Sequence, residues 1–247
     1  MKILRYDISS DKYNINCITY EPEVCACQFA VICLHGFGGD KESSAIKCLA
    51  QAITDNGGAV VAFDFASHGK SEADEKYLTV ENCVSDAKAV YAYAKNKYSK
   101  VDFFATSFGA YILINMLKSA DFKGIKAIFR SPAVKMENTF LSPICNLTSA
   151  ELKKQGVVEC GCERKMRLGY DFWEDLKEHS IFDAEFENNA LMIYGDRDDV
   201  VSVEDMKAFA HSRDNIKVKV IEGADHRYKG NGQLEKAIEA AVEFLIS

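Results

Sequence analysis

The sequence predicts an α/β protein: a mostly parallel mixed sheet with helices on both faces and a small inserted cap. Three observations predict it. Short runs that are apolar throughout recur along the chain, as in Phe29–Leu34 and Ala59–Phe63, and such runs mark strands buried on both faces. Helical patterns separate them, and strands that alternate with helices build parallel sheets. The start of the chain instead alternates polar and apolar residues from Tyr13 to Tyr20, as a half-buried antiparallel strand does. The 247 residues suit one such domain with an insertion, and 48% hydrophobic residues supply a sizeable core.

Taken in order, Ile3–Ile8 pairs with Tyr13–Tyr20 as an opening hairpin. Phe29–Leu34 is the first buried strand. A helix runs from about Glu42 to Thr54 and stops before Asn56-Gly57-Gly58, where glycine ends helices. Ala59–Phe63 is the second buried strand, and a long helix covers about Val80–Tyr98. Val101–Thr106 is a strand followed at once by the helical pattern Ala110–Leu117. Ile125–Phe129, Ala190–Tyr194 and Ile216–Ile221 complete the strands, and helices follow at Val203–His211 and Leu234–Ile246. The span 131–183 breaks this rhythm. It holds Pro132, Pro143, charged helix-like stretches, a short Val157–Cys160 patch and the only tryptophan, Trp173. It is expected to be a cap inserted into a core made of residues 1–130 and 184–247.

Composition narrows the function. A net charge of −7 with no long basic run disfavours nucleic-acid binding through phosphates. No apolar run reaches transmembrane length, and Met1–Asp7 lacks the apolar core of a signal peptide. Nine cysteines are an odd number. The closest pairs, Cys25-x-Cys27 and Cys160-x-Cys162, lack the C-x₂-C spacing of zinc sites. Most of these cysteines, Cys33 and Cys48 among them, read as small buried hydrophobes. Unpaired thiols point to a reducing cytoplasm. No metal and no cofactor is expected, and monomer and homodimer both remain open.

Chemistry is concentrated at Ala105-Thr106-Ser107-Phe108-Gly109. A serine with tiny residues two places to either side, at a strand-to-helix turn, has the layout of a nucleophile elbow. The alternative reading is a helix N-cap serine. A serine hydroxyl needs a base, a group to orient the base, and donors for the developing oxyanion. On such sheets the order along the chain is Ser, then an acid, then His. Of the five histidines, His35 and His68 precede Ser107, His179 falls in the cap and His211 lies in a helix. His226 follows strand 216–221 in a loop at a strand's C-terminal end, where ligands collect. It is the expected base. The loop after strand 190–194, Gly195-Asp196-Arg197-Asp198-Asp199, offers three aspartates. One oxyanion donor is expected to be the Phe108 N–H, directly after the nucleophile. The other should come from His35-Gly36-Phe37-Gly38-Gly39-Asp40, which lacks the Lys-Ser/Thr ending of a phosphate loop.

These pieces together resemble the α/β-hydrolase superfamily over nearly the whole chain. The pattern G-x-x-D-x-x-V is similar to its acid loop and implies Asp198 as the acid, with Asp196 as a loop brace and Asp199 as a helix cap. The H-G-x-G likeness implies the Phe37 N–H as the second donor. Asp64–Ser71 resembles the D-x-x-x-H-G-x-S turn of single-domain members, where His68 and Ser71 brace a loop. Within the superfamily the chain is similar to compact bacterial carboxylesterases, including cinnamoyl and feruloyl esterases, and to the group labelled serine aminopeptidases. Ala105 departs from the first glycine of the elbow. Phe108 stands where hydroxycinnamoyl esterases more often carry a polar residue. The resemblance implies a serine hydrolase that cleaves small-molecule esters of small or medium acyl groups, with Tyr170, Phe172 and Trp173 of the cap shaping the substrate pocket. An amidase or peptidase and an acyltransferase would use the same triad, and a non-catalytic ligand-binding member would keep only the fold.

Overall fold

Eight of the predicted strands pair side by side. The computed structural model describes residues 1–24, 27–161 and 164–247, so Cys25 and Cys162, one member of each close cysteine pair, lie outside the described residues. The strands are β1 (Lys2–Ser9), β2 (Asn14–Glu21), β3 (Phe29–Leu34), β4 (Ala59–Phe63), β5 (Lys100–Thr106), β6 (Ala127–Arg130), β9 (Ala190–Gly195) and β10 (Ile216–Ile221), with a separate pair, β7 (Val157–Cys160) and β8 (Met166–Gly169). The main sheet has the order β1-β2-β4-β3-β5-β6-β9-β10. β1 and β2 form the antiparallel hairpin, and β2 is antiparallel to β4. Every other pair in this sheet is parallel.

The helices divide between the faces as the apolar residues demand. Helices α1 (Ser44–Asp55) and α8 (Gln233–Ile246) pack with Val31, Cys33, Val60 and Phe104 on one face. Helices α2 (Val80–Lys95), α3 (Phe108–Leu117) and α7 (Val203–His211) pack with Ile32, Val61, Phe103 and Phe129 on the other. Alternate residues of the central strands serve opposite faces, which is the period-two rule at work. The exposed edge strand β10 carries Lys217 and Lys219, and charges on an edge oppose pairing with another chain.

Between β6 and β9 the chain forms the short α4 (Met136–Thr139), an irregular turn Phe140–Cys145, α5 (Ser149–Gln155), the β7–β8 pair and α6 (Tyr170–Glu178). This segment has no core of its own. Met136, Phe140, Leu152, Met166 and Leu176 belong to the same buried cluster as α2 and α3. Polar ties reinforce the contact: the Tyr111 hydroxyl donates to the Leu176 carbonyl at 2.9 Å, and Asp175 accepts from the Val80 N–H at 2.7 Å.

One buried ion pair joins the loops after β3 and β4. The Lys41 ammonium contacts the Asp64 carboxylate with both side chains almost wholly enclosed. Asp64 also accepts the backbone N–H groups of Lys41 and Lys70, each at 2.8 Å. Gly69 is required beside it, since its φ is +49° and a Cβ there would lie 2.4 Å from an Asp64 oxygen. Removing one member of such a pair strands the other in a dry interior. Lys41→Met is therefore expected to lower stability by about 3–5 kcal/mol, measured by urea unfolding. A loss below about 1 kcal/mol, the scale of a surface pair, would contradict a buried structural role.

Candidate active site

The serine turn is held from both sides. β5 ends at Thr106 and α3 begins at Phe108, so Ser107 must reverse the backbone alone. It does so with φ +52° and ψ −113°, a sparsely populated region that persists only where surroundings enforce it. Its N–H donates to the Arg130 carbonyl at 2.9 Å, and its carbonyl accepts from Tyr111 at 3.1 Å and Ala133 at 3.3 Å. The hydroxyl makes no helix-capping bond, so the N-cap reading does not describe it. A Cβ on Gly109 would sit 2.5 Å from the Leu34 carbonyl oxygen and 2.6 Å from that of His35, and a Cβ on Gly36 would sit 3.4 Å from Ser107 Cβ. The methyl of Ala105 is fully buried in the strand, opposite Leu34 and Phe129.

The parallel pairing of β9 and β10 places the loops that follow them side by side. Both Asp198 oxygens approach His226 Nδ1, at 2.9 and 3.0 Å. Asp198 Oδ1 also accepts the N–H groups of Val200 at 3.0 Å and Val201 at 2.8 Å. Burial pushes this carboxyl up, but the His226 ring and the two N–H donors more than offset it, and the group sits below its ordinary range. A ring nitrogen facing a carboxylate carries the proton, which leaves Nε2 of a neutral His226 free to accept one. Asp196 accepts from the Gly223 N–H at 2.5 Å and so braces the neighbouring loop. Asp199 does not cap α7, because the Ser202 side chain does; Asp199 accepts instead from the His226 N–H at 3.2 Å. Of the three aspartates, only Asp198 reaches the imidazole.

The loop His35–Asp40 is fixed by a buried histidine. His35 Nδ1–H donates to the Gly36 carbonyl at 2.8 Å, and Nε2 accepts from the Phe65 N–H at 3.2 Å. Both bonds require the neutral ring, and burial lowers the pKa of His35 accordingly. The Phe37 ring lies edge-on to Phe108, His68 and Phe140, and tilted against Phe172. It therefore joins the loop to α3 and to the segment between β6 and β9. Phe108 opens α3, where an N–H has no helical partner. Its ring is fully buried among Phe65, His68 and Tyr111 and takes no part in lining the cavity beside Ser107.

Ser107, His226 and Phe37 line one cavity of about 540 Å³, together with Thr139, Pro143 and Ile144 from the segment between β6 and β9. Tyr170 and Trp173 do not line it. They border a separate depression of about 230 Å³, where Lys153 and Lys177 lie over their rings. Phe172 stands behind Phe37, packed on Phe140. The aromatic cluster was visible in sequence, but α6 places Tyr170 and Trp173 away from the Ser107 cavity. A larger hollow of about 760 Å³, lined by Lys118, Lys123 and Arg213, lies at the opposite ends of the strands and has no histidine among its described lining residues. Lys41 and Arg130 were missed in the sequence. The signal for Arg130 was an arginine at the C-terminal end of a buried strand, where ligands collect. Among the described residues, no group of three His, Cys, Asp or Glu residues is placed to hold a metal ion, and no helix is long and apolar enough to cross a membrane.

Comparison with known proteins defines the class. The family model described as serine aminopeptidase, S33, matches residues 27–160, more than half of the chain, and the protein belongs to this family of the α/β-hydrolase superfamily. Its fold is that of Est1E from Butyrivibrio proteoclasticus, solved with ferulic acid bound (TM-score 0.84, 22% identity, 98% of each chain covered). It is also that of mouse alpha/beta hydrolase domain-containing protein 10 (TM-score 0.80, 15% identity, 98% of each chain) and of the Pyrococcus furiosus esterase Pf2001 (TM-score 0.73, 22% identity, 99% of this chain and 92% of that one). No curated protein matches the sequence. The class is thus serine hydrolase, with esterases among its structural neighbours.

The buried histidines have a consequence for stability. Burial lowers the pKa of His68 to about 3. Its Nδ1–H donates to the Ala66 carbonyl at 2.9 Å. The unfolded ring takes a proton below its ordinary value of 6.5 while the folded ring does not, so this group costs stability as pH falls from 6.5 towards 3. His68→Gln removes that pH-dependent cost. Urea unfolding at pH 6, 5 and 4 is expected to show a pH slope smaller than wild type by about 1.4 kcal/mol per unit; equal slopes would refute it.

Proposed function

We propose that the protein is a carboxylester hydrolase that works through Ser107, His226 and Asp198. The observation that carries this reading is the His226 ring, held at Nδ1 by Asp198, in one cavity with a serine on a strained strand-to-helix turn. Ser107 Oγ attacks the ester carbonyl carbon while His226 Nε2 takes its proton. The Phe37 and Phe108 N–H groups receive the developing oxyanion. As the tetrahedral centre collapses, His226 returns the proton to the leaving alcohol and an acyl-enzyme remains. Water, deprotonated by the same nitrogen, then releases the acid and restores Ser107.

Residues 131–183 act in this reading as a cap. Pro143 and Ile144, with Phe37 and Val200, give the cavity an apolar wall, and about 540 Å³ suits a small or medium acyl group. An aminopeptidase needs a carboxylate for the substrate's α-ammonium group. Asp199 is on the cavity wall, but it bonds the His226 backbone and is accompanied by Arg130 and Arg227, which favours an ester. A cytoplasmic setting agrees with the buried free cysteines Cys17, Cys33, Cys83 and Cys160.

Hydrolysis of p-nitrophenyl acetate and butyrate tests the assignment. Ser107→Ala is expected to lower kcat/KM by about 10⁴ or more with little change in Tm. Asp198→Asn should cost about 10²–10⁴ and Asp196→Asn less than about 10. Wild-type turnover in Ser107→Ala would overturn the nucleophile, and the reverse order of the two aspartates would move the acid.

A further inference from the structure

Beside the proposed triad lies a buried cation that the reaction above does not use. Arg130 ends β6 and is only 5% exposed, yet it borders the Ser107 cavity. Among the described residues no carboxylate forms an ion pair with it. Buried charges normally have a contacting partner, because desolvation is costly. Its contacts are of another kind. Nη2 donates to the His226 carbonyl at 3.1 Å, and the guanidinium lies over the Tyr228 ring, 4.1 Å from its centroid. Nε is enclosed without a hydrogen-bond partner. Tyr228 is itself fixed, its φ at +57° and its hydroxyl 3.3 Å from both Ser131 Oγ and the Ile193 carbonyl.

These contacts converge on one residue. His226 sits in a loop, and side chains hold its backbone: Asp199 takes the N–H and Arg130 binds the carbonyl. Asp198 holds the ring. We propose that Arg130 is a positioning residue for His226, clamping the carbonyl of the base from the neighbouring strand so that the ring stays between Asp198 and Ser107; this rests on the hydrolase reading above. The planar fork suits the task. One N–H is directed at a fixed carbonyl while the flat face stacks on Tyr228, and a lysine cannot do both. Arg130 also holds the nucleophile through its own carbonyl, whose oxygen accepts the Ser107 N–H at 2.9 Å. One residue therefore touches the backbone of both reacting groups.

A role in placing the base and a role in binding substrate separate in the kinetics. With a neutral p-nitrophenyl ester, Arg130→Met is expected to lower kcat about 10- to 100-fold, with KM within about twofold of wild type, the cost of a base displaced by a fraction of an ångström to an ångström. Arg130→Lys keeps the charge and one donor and should recover part of that loss. Tyr228→Leu, which removes the stacking face, should lower kcat about 3- to 10-fold by the same displacement. Unchanged kcat in a folded Arg130→Met or, should that variant fail to fold, in Arg130→Lys would overturn the proposal. So would a raised KM with kcat intact, which marks a substrate contact. The Ser107→Ala control is scored first: turnover that does not depend on Ser107 refutes the hydrolase reading, whereas Ser107-dependent turnover indifferent to Arg130 refutes only the clamp.

Discussion

The approach of α3 to the end of β3 constrains everything around Ser107. At Gly109 the helix backbone comes so near the carbonyls of Leu34 and His35 that a single added carbon would overlap them. This contact leaves one residue, Ser107, to turn the chain from strand to helix, and it forces the positive φ. It also brings the first N–H of α3 beside the His35–Asp40 loop. The strained turn, the orphan N–H and the glycines of the neighbouring loop are thus consequences of one close packing.

The remaining site residues reach the same edge through the sheet register. β3, β5, β6, β9 and β10 are parallel neighbours, so the loops after them open at one end. Loops alone would not hold side chains in place. Here buried polar groups do so: Asp64 with Lys41, His35 with Phe65, and Asp198 with Val200 and Val201. Each satisfies backbone N–H groups that a buried loop would otherwise leave unpaired. The Phe37 ring links this polar frame to the segment between β6 and β9 through Phe140 and Phe172.

Much of the fold was legible because its determinants are local. The all-apolar strands Phe29–Leu34 and Ala59–Phe63 lie where periodicity put them, and the fold class follows from the alternation of strands with helices. Some boundaries moved by two residues: α1 starts at Ser44, not near Glu42, and β6 at Ala127, not Ile125. The aspartate assignments show the limit of the sequence. Three acids within four residues look alike, and only the packing of one loop on another separates ring, backbone and brace. Tyr170 and Trp173 teach the same lesson, since aromatic content does not encode which way α6 faces. Arg130 was hidden because its partners lie 96 and 98 positions further along the chain.

The central claim is that Ser107 is a nucleophile activated in the folded protein. The most direct measurement is covalent labelling with a fluorophosphonate, followed by peptide mapping by mass spectrometry. The account predicts one adduct per chain, on Ser107, lost on denaturation and in His226→Ala. Folded protein that does not label, or that labels at another residue, would contradict it.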